Sequence, residues 1–97
     1  MDEIAFSWNE RKNRENRKKH GVSFEEASTV FYDQNARLIY DPEHSDTEDR
    51  FVLLGLSAPL RLLVVCHCYR QNDYEIRIIS ARKAKKKEKN EYGGFLK

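Results

Sequence analysis

Ninety-seven residues give room for one hydrophobic core and exclude a two-domain architecture. Charged residues fill 35% of the chain, yet acids and bases nearly cancel to a net +2, so the placement of charge says more than its sum. Two cysteines, Cys66 and Cys68, are too few and too close for a disulfide scaffold, and the longest apolar run, residues 62–66, is too short to span a membrane. Reduced thiols fit the cytoplasm, as does an opening Met1-Asp2-Glu3-Ile4 that lacks the basic and apolar segments of a signal peptide.

Ala5-Phe6-Ser7-Trp8 alternates apolar and polar residues and predicts a short first strand. Asn9 then caps a helix over residues 10–19. This helix has no apolar residue, so burial of its own stripe cannot hold it. Its spaced pairs Glu10–Arg14 and Glu15–Lys19 add only about 0.2–0.5 kcal/mol each. Trp8 and the stems of the long side chains are the expected docking contacts. Gly21 suits a left-handed cap, and Ser23 with Glu26 reads as a capping box. Phe24, Ala27, Val30 and Phe31 follow at helical spacing as a core-facing stripe.

Strands are predicted at 36–40, 50–56, 61–69 and 74–80, with an acidic loop at 41–49 and a turn at 71–73. Short connections make them an antiparallel meander. A last helix covers 82–92, beginning at Ser80 or Ala81 and stopped by Gly93-Gly94, with 93–97 as a loose tail. The fold class is α+β: one domain over 1–97, with a small antiparallel sheet of about four strands and the first segment as a short fifth. A helical pair precedes the sheet and a helix follows it.

Residues 10–20 hold six Lys/Arg against two Glu, and residues 82–89 hold six against one. Residues 41–50 hold five acids against Arg50. Two basic segments therefore flank an acidic one. Such cation density attracts phosphates with release of counterions, or an acidic protein, and charge alone does not choose between them. Arg77 lies on an amphipathic strand and Arg82 at the expected helix N-terminus, where free N–H groups favour anions. The competing reading pairs Arg77 with Glu75 on a solvent face. His44 stands among carboxylates, as a general acid or base would, and the competing reading is a polar turn. The same loop matches no established metal motif. In Cys66-His67-Cys68, alternation puts the cysteines on one face and His67 on the other, so a shared zinc is disfavoured and a structural histidine favoured.

Taken together, specific residues resemble the BrnT toxins of bacterial type II toxin–antitoxin modules. They are Phe6-x-Trp8, Lys12-Asn13, Asn16, the run Lys19-His20-Gly21-Val22-Ser23-Phe24-Glu25-Glu26-Ala27, and Val30-Phe31-x-Asp33. Asp41, His44-Ser45, Glu48-x-Arg50-Phe51, Gly55-x-Ser57, the run Arg77-Ile78-Ile79-Ser80-Ala81-Arg82-Lys83-Ala84, and Glu91-Tyr92 continue the match. The resemblance implies a RelE-like fold and a ribonuclease that stops translation by cleaving RNA, without cofactor or metal. It implies a BrnA-like antitoxin that masks the toxin and supplies the only contact with DNA. By analogy, Arg77 and Arg82 stabilise phosphate, His44 is the acid or base, and Glu48 orients it. Arg50, Lys83 and Tyr92 contribute behind them, while Arg11, Lys12, Arg14 and Lys18 track the RNA backbone together with Lys83. Two other classes share the basic helices: a non-catalytic nucleic-acid-binding module and a protein-interaction module with an acidic partner.

Overall fold

In a computed structural model, residues 4–41, 49–70 and 74–95 are described. The loop carrying His44 and Glu48 and the turn at 71–73 lie outside them. The elements run β1 (Ala5–Ser7), α1 (Glu10–His20), α2 (Phe24–Thr29), a single 3₁₀ turn (Val30–Tyr32), β2 (Arg37–Asp41), β3 (Arg50–Leu56), β4 (Leu62–Arg70), β5 (Glu75–Lys83) and α3 (Lys86–Phe95). The five strands form one sheet in the order β1-β5-β4-β3-β2. The meander from β2 to β5 is antiparallel, as the short connections require. β1 corrects the all-antiparallel expectation: it pairs in parallel with β5, setting Phe6 across from Ile76 and Ser7 across from Arg77. No helix among the described residues is long and apolar enough to cross a membrane.

Two expectations about the chain's end change. β5 continues to Lys83 because the nine-residue β4 offers it partners as far as Leu63. Helix α3 therefore begins only at Lys86, and it runs through Gly93 to Phe95 instead of stopping at the glycine pair.

One face of the sheet carries the main core. Leu53, Leu63, Val65, Ile76, Ile78 and Ala81 are buried against Val22, Phe24, Ala27 and Val30. On the other face Ala84 and Tyr92 close over Leu54 and Val64 at one end. Gly55 permits the close approach of the 3₁₀ turn and of the chain entering β2: a Cβ there would stand 2.9 Å from both Ala36 Cβ and Val30 Cγ1.

The polar helix α1 is docked by amides. Asn13 and Asn16, one turn apart on one face, are its buried residues. Asn13 Oδ1 accepts the Phe24 N–H at 2.8 Å, while its Nδ2 donates to Glu25 at 2.8 Å. Asn16 Nδ2 donates to the carbonyls of Val22 at 2.9 Å and Ala81 at 2.8 Å, and its Oδ1 accepts the Ala81 N–H at 3.2 Å. Trp8 adds an edge contact to Phe24, with ring centres 6.2 Å apart. Gly21 caps the helix at φ 70°, and its N–H reaches Arg17 O at 2.9 Å.

The capping box is half made. Ser23 Oγ accepts the Glu26 N–H at 3.0 Å, but the Glu26 carboxylate turns to the β3–β4 connection. There it accepts from Arg61 Nε and Ser57 Oγ, each at 2.8 Å, and from an Arg61 terminal nitrogen. These bonds, that to Arg61 first, hold the Glu26 carboxyl below its ordinary range.

Candidate functional site

An irregularity in β5 decides which side chains share the open face. Cys66 pairs with Ser80 and His67 with Ile78, so Ile79 is an extra residue. Simple alternation would put residues 77 and 82 on opposite faces. With the bulge, Arg77 lies across from Cys68 and Arg82 across from Val64, on the same face of β4. Arg70 joins them by alternation along β4, and Arg50 by alternation from Val52, the β3 partner of Cys66.

Where α3 leaves this face open, α1 forms its rim, and three adjoining hollows lie between them. The first, about 310 Å³, is lined by His20, Arg50, Val52, Val64, Cys66, Ser80 and Arg82 among others. A second of about 290 Å³ takes Lys12, Glu15, Asn16, Lys19, His20 and Ser80. The third, about 130 Å³, is lined by Asn9, Lys12, Arg50, Arg70, Arg77, Ile78 and Ile79. Ile79 borders all three, so they adjoin one another beside α1 and are together called the groove. Four cations surround the smallest hollow, and its described lining contains no carboxylate. Glu75, considered as a partner for Arg77, accepts the Ser7 hydroxyl at 2.5 Å.

The expected residues are divided by this geometry. Arg50, Arg77, Arg82 and Lys12 line the groove. Arg82 does so from a strand and not from a helix N-terminus, which corrects the basis on which it was first singled out. Its guanidinium is also committed, donating to both Glu88 oxygens at 2.8 and 2.7 Å. That pairing raises the Arg82 pKa and lowers that of Glu88.

Lys83 is across from Leu63, whose side of β4 faces the main core, so it belongs to the opposite face. Tyr92, on α3, is buried against the sheet, and its hydroxyl donates to Asp33 Oδ2 at 2.7 Å. Burial, with that bond behind it, pushes the phenol up to about 12. Its position is that of an anchor for α3. Arg11, Arg14 and Lys18 are exposed on α1 but outside the described lining, and Arg11 meets Glu15 at 3.6 Å. His44 and Glu48 lie outside the described residues.

Two groove residues escaped the sequence reading. His20 was read as the end of a helix and as part of the family run, without a role at the site, yet it lines two of the hollows. Arg70 was passed over, although its spacing from Cys66 and Cys68 places all three on one face. His67 is fully buried on the other face, with Nδ1 3.1 Å from Val65 O and Nε2 3.3 Å from the Tyr69 hydroxyl. Burial pushes its pKa down. Among the described residues no group of three or more His, Cys, Asp or Glu could hold a metal ion.

A basic groove of this kind can hold a phosphodiester and stabilise charge that develops on it. The fold is similar to a crystal structure of the Brucella abortus ribonuclease toxin BrnT, with TM-score 0.64 and 22% identity over 87% of this chain and all of that one. No match was found among curated proteins. Residues 8–88 match the family described as "Ribonuclease toxin, BrnT, of type II toxin-antitoxin system". The chain belongs to the BrnT family of ribonuclease toxins.

Proposed function

We propose that this chain is an endoribonuclease that cleaves RNA in the groove between α1 and the open sheet face, without a metal ion, and thereby stops translation in the cytoplasm. Family membership implies an RNA substrate and an antitoxin partner. The antitoxin is BrnA-like, masks the toxin, and makes whatever contact with DNA the pair has. The observation that carries the site is the convergence of Lys12, Arg50, Arg70 and Arg77 on one hollow.

In this reading the RNA 2′-hydroxyl attacks the adjacent phosphorus and the 5′-oxygen leaves, giving a 2′,3′-cyclic phosphate and a 5′-hydroxyl. A base takes the 2′-proton and an acid gives one to the leaving oxygen. Arg77 and Arg50 meet the phosphate, and fixed cations supply the charge stabilisation that the phosphorane needs. Lys12 holds the backbone at the rim. Arg82 contributes with part of its charge committed to Glu88. Proton transfer falls to a histidine: His44, oriented by Glu48, by its place among carboxylates in the sequence, or His20 by its place in the groove.

Purified chain incubated with RNA in EDTA, with the ends of the products mapped, tests the proposal. Persistent cleavage with cyclic-phosphate ends is expected, and loss of cleavage in chelator sinks the metal-free reading. Tight RNA binding without products would leave a non-catalytic binding module. Separate His20→Ala and His44→Ala variants identify the proton-transfer group.

A further inference from the structure

Among the described residues β2 ends the sheet, with β3 as its one neighbour in the strand order. Edge strands usually discourage further pairing with charge, proline or a bulge. Here three consecutive apolar residues stand exposed on the edge: Leu38 at 50%, Ile39 at 42% and Tyr40 at 48%. Beside them lies a hollow of about 530 Å³ lined by Leu38, Asp49, Phe51 and Tyr69.

We propose that this edge pairs with the same edge of a second copy, β2 against β2, around a twofold axis at Ile39. The strand Arg37-Leu38-Ile39-Tyr40-Asp41 is self-complementary in the antiparallel sense. Centring the pair on Ile39 is the one register that overlaps all five residues. It sets Arg37 of one copy across from Asp41 of the other, residues of opposite formal charge, at both ends of the ladder. It sets Leu38 across from Tyr40 on the other face, so each copy's Tyr40 meets the partner's Leu38 at the mouth of that hollow. A sheet extended this way keeps its faces, so both basic grooves open on the same side of a ten-stranded sheet.

The purified full-length chain should run at twice its chain mass in light scattering, across micromolar concentrations. Ile39→Lys, a change at an exposed position, places two like charges at the axis and should give a monomer with unchanged circular dichroism. Ile39→Cys should form an interchain disulfide under mild oxidation, because directly opposed antiparallel residues have Cα atoms about 4.5–5.5 Å apart. Leu38→Cys, which does not face itself, should not. A monomeric wild-type chain overturns the proposal, as does a dimer that survives Ile39→Lys. If the chain is monomeric and Ile39→Lys instead abolishes capture by the antitoxin, the edge belongs to the antitoxin and the self-pairing is wrong.

Discussion

The two faces of the sheet are built from the same strands, residue by residue in alternation, and they treat polar groups in opposite ways. On the helix-covered face, Asn13, Asn16 and His67 are buried and each is matched to a neighbour. On the other, Arg50, Arg70 and Arg77 border a hollow whose described lining has no carboxylate. The first arrangement spends polar groups on holding elements together. The second gathers positive charge around one hollow, where it attracts an anion. Polar content alone therefore does not distinguish structure from function in this fold; the burial of each group and the sign of charge gathered beside it do.

The largest expected effect comes from breaking the open face. Arg77→Ala should lower cleavage by about 10²–10³-fold, the usual loss for one stabilising donor at a transition state. Its unfolding free energy should stay within about 0.5 kcal/mol of wild type, since the change is made outside the core. Single-turnover cleavage and urea unfolding on the same preparation measure both. Near-normal cleavage by Arg77→Ala would remove the open face from the mechanism.

The covered face should respond in the reverse sense. Asn16→Ala deletes three hydrogen bonds and strands the Ala81 N–H and two carbonyls beneath α1. An expected loss of about 2–3 kcal/mol follows from leaving buried groups unmatched. α1 also forms the groove rim, so RNA binding should weaken with it. A loss below about 0.5 kcal/mol, the range of ordinary surface changes, would mean that α1 is held by something other than its amides.

These contrasts explain what was readable in the sequence. Strands β3 and β4 were found almost to the residue, because their apolar runs are bounded by turn signals. The stripe Phe24, Ala27, Val30 was legible from its helical spacing. The extra residue Ile79 was not, since a bulge has no side-chain signature of its own and shows only in the pairing of two distant segments. Without it, Arg77 and Arg82 were nominated together from an expected helix N-terminus at Arg82 and from the family resemblance, not from a shared strand face. The docking of α1 was hidden differently: asparagine in a helix reads as surface, and only the positions of Val22 and Ala81 reveal what Asn16 binds. Arg82 illustrates the limit of charge counting, because Glu88, six residues on, takes much of its charge.

His67 sharpens the comparison through pH. Its folded-state pKa lies below the ordinary 6.5, and burial is the first cause. The unfolded chain therefore binds a proton at a pH where the folded chain does not. Stability should be full above about pH 6.5 and fall as pH drops from there toward the folded pKa, by at most about 1.4 kcal/mol per pH unit. Urea midpoints for wild type and His67→Gln between pH 7.5 and 5.5 isolate this slope, which should be shallower in the variant. Equal slopes would assign the acid sensitivity elsewhere.

The smallest expected change concerns the helix on the open face. Tyr92→Phe removes one hydroxyl and leaves the ring packed on Leu54, Val64 and Ala84. Asp33 Oδ2 keeps the Leu56 N–H at 2.8 Å, so its carboxylate is not left without a donor. The loss should be about 1 kcal/mol, the net value of a typical hydrogen bond. Cleavage per folded molecule should not change, because this hydroxyl points to Asp33 and lies outside the described lining of the three hollows. Should cleavage instead fall by orders of magnitude in a variant that remains as stable as wild type, Tyr92 would act on RNA directly. The boundary between the anchored end of this face and its catalytic end would then have to move to include α3.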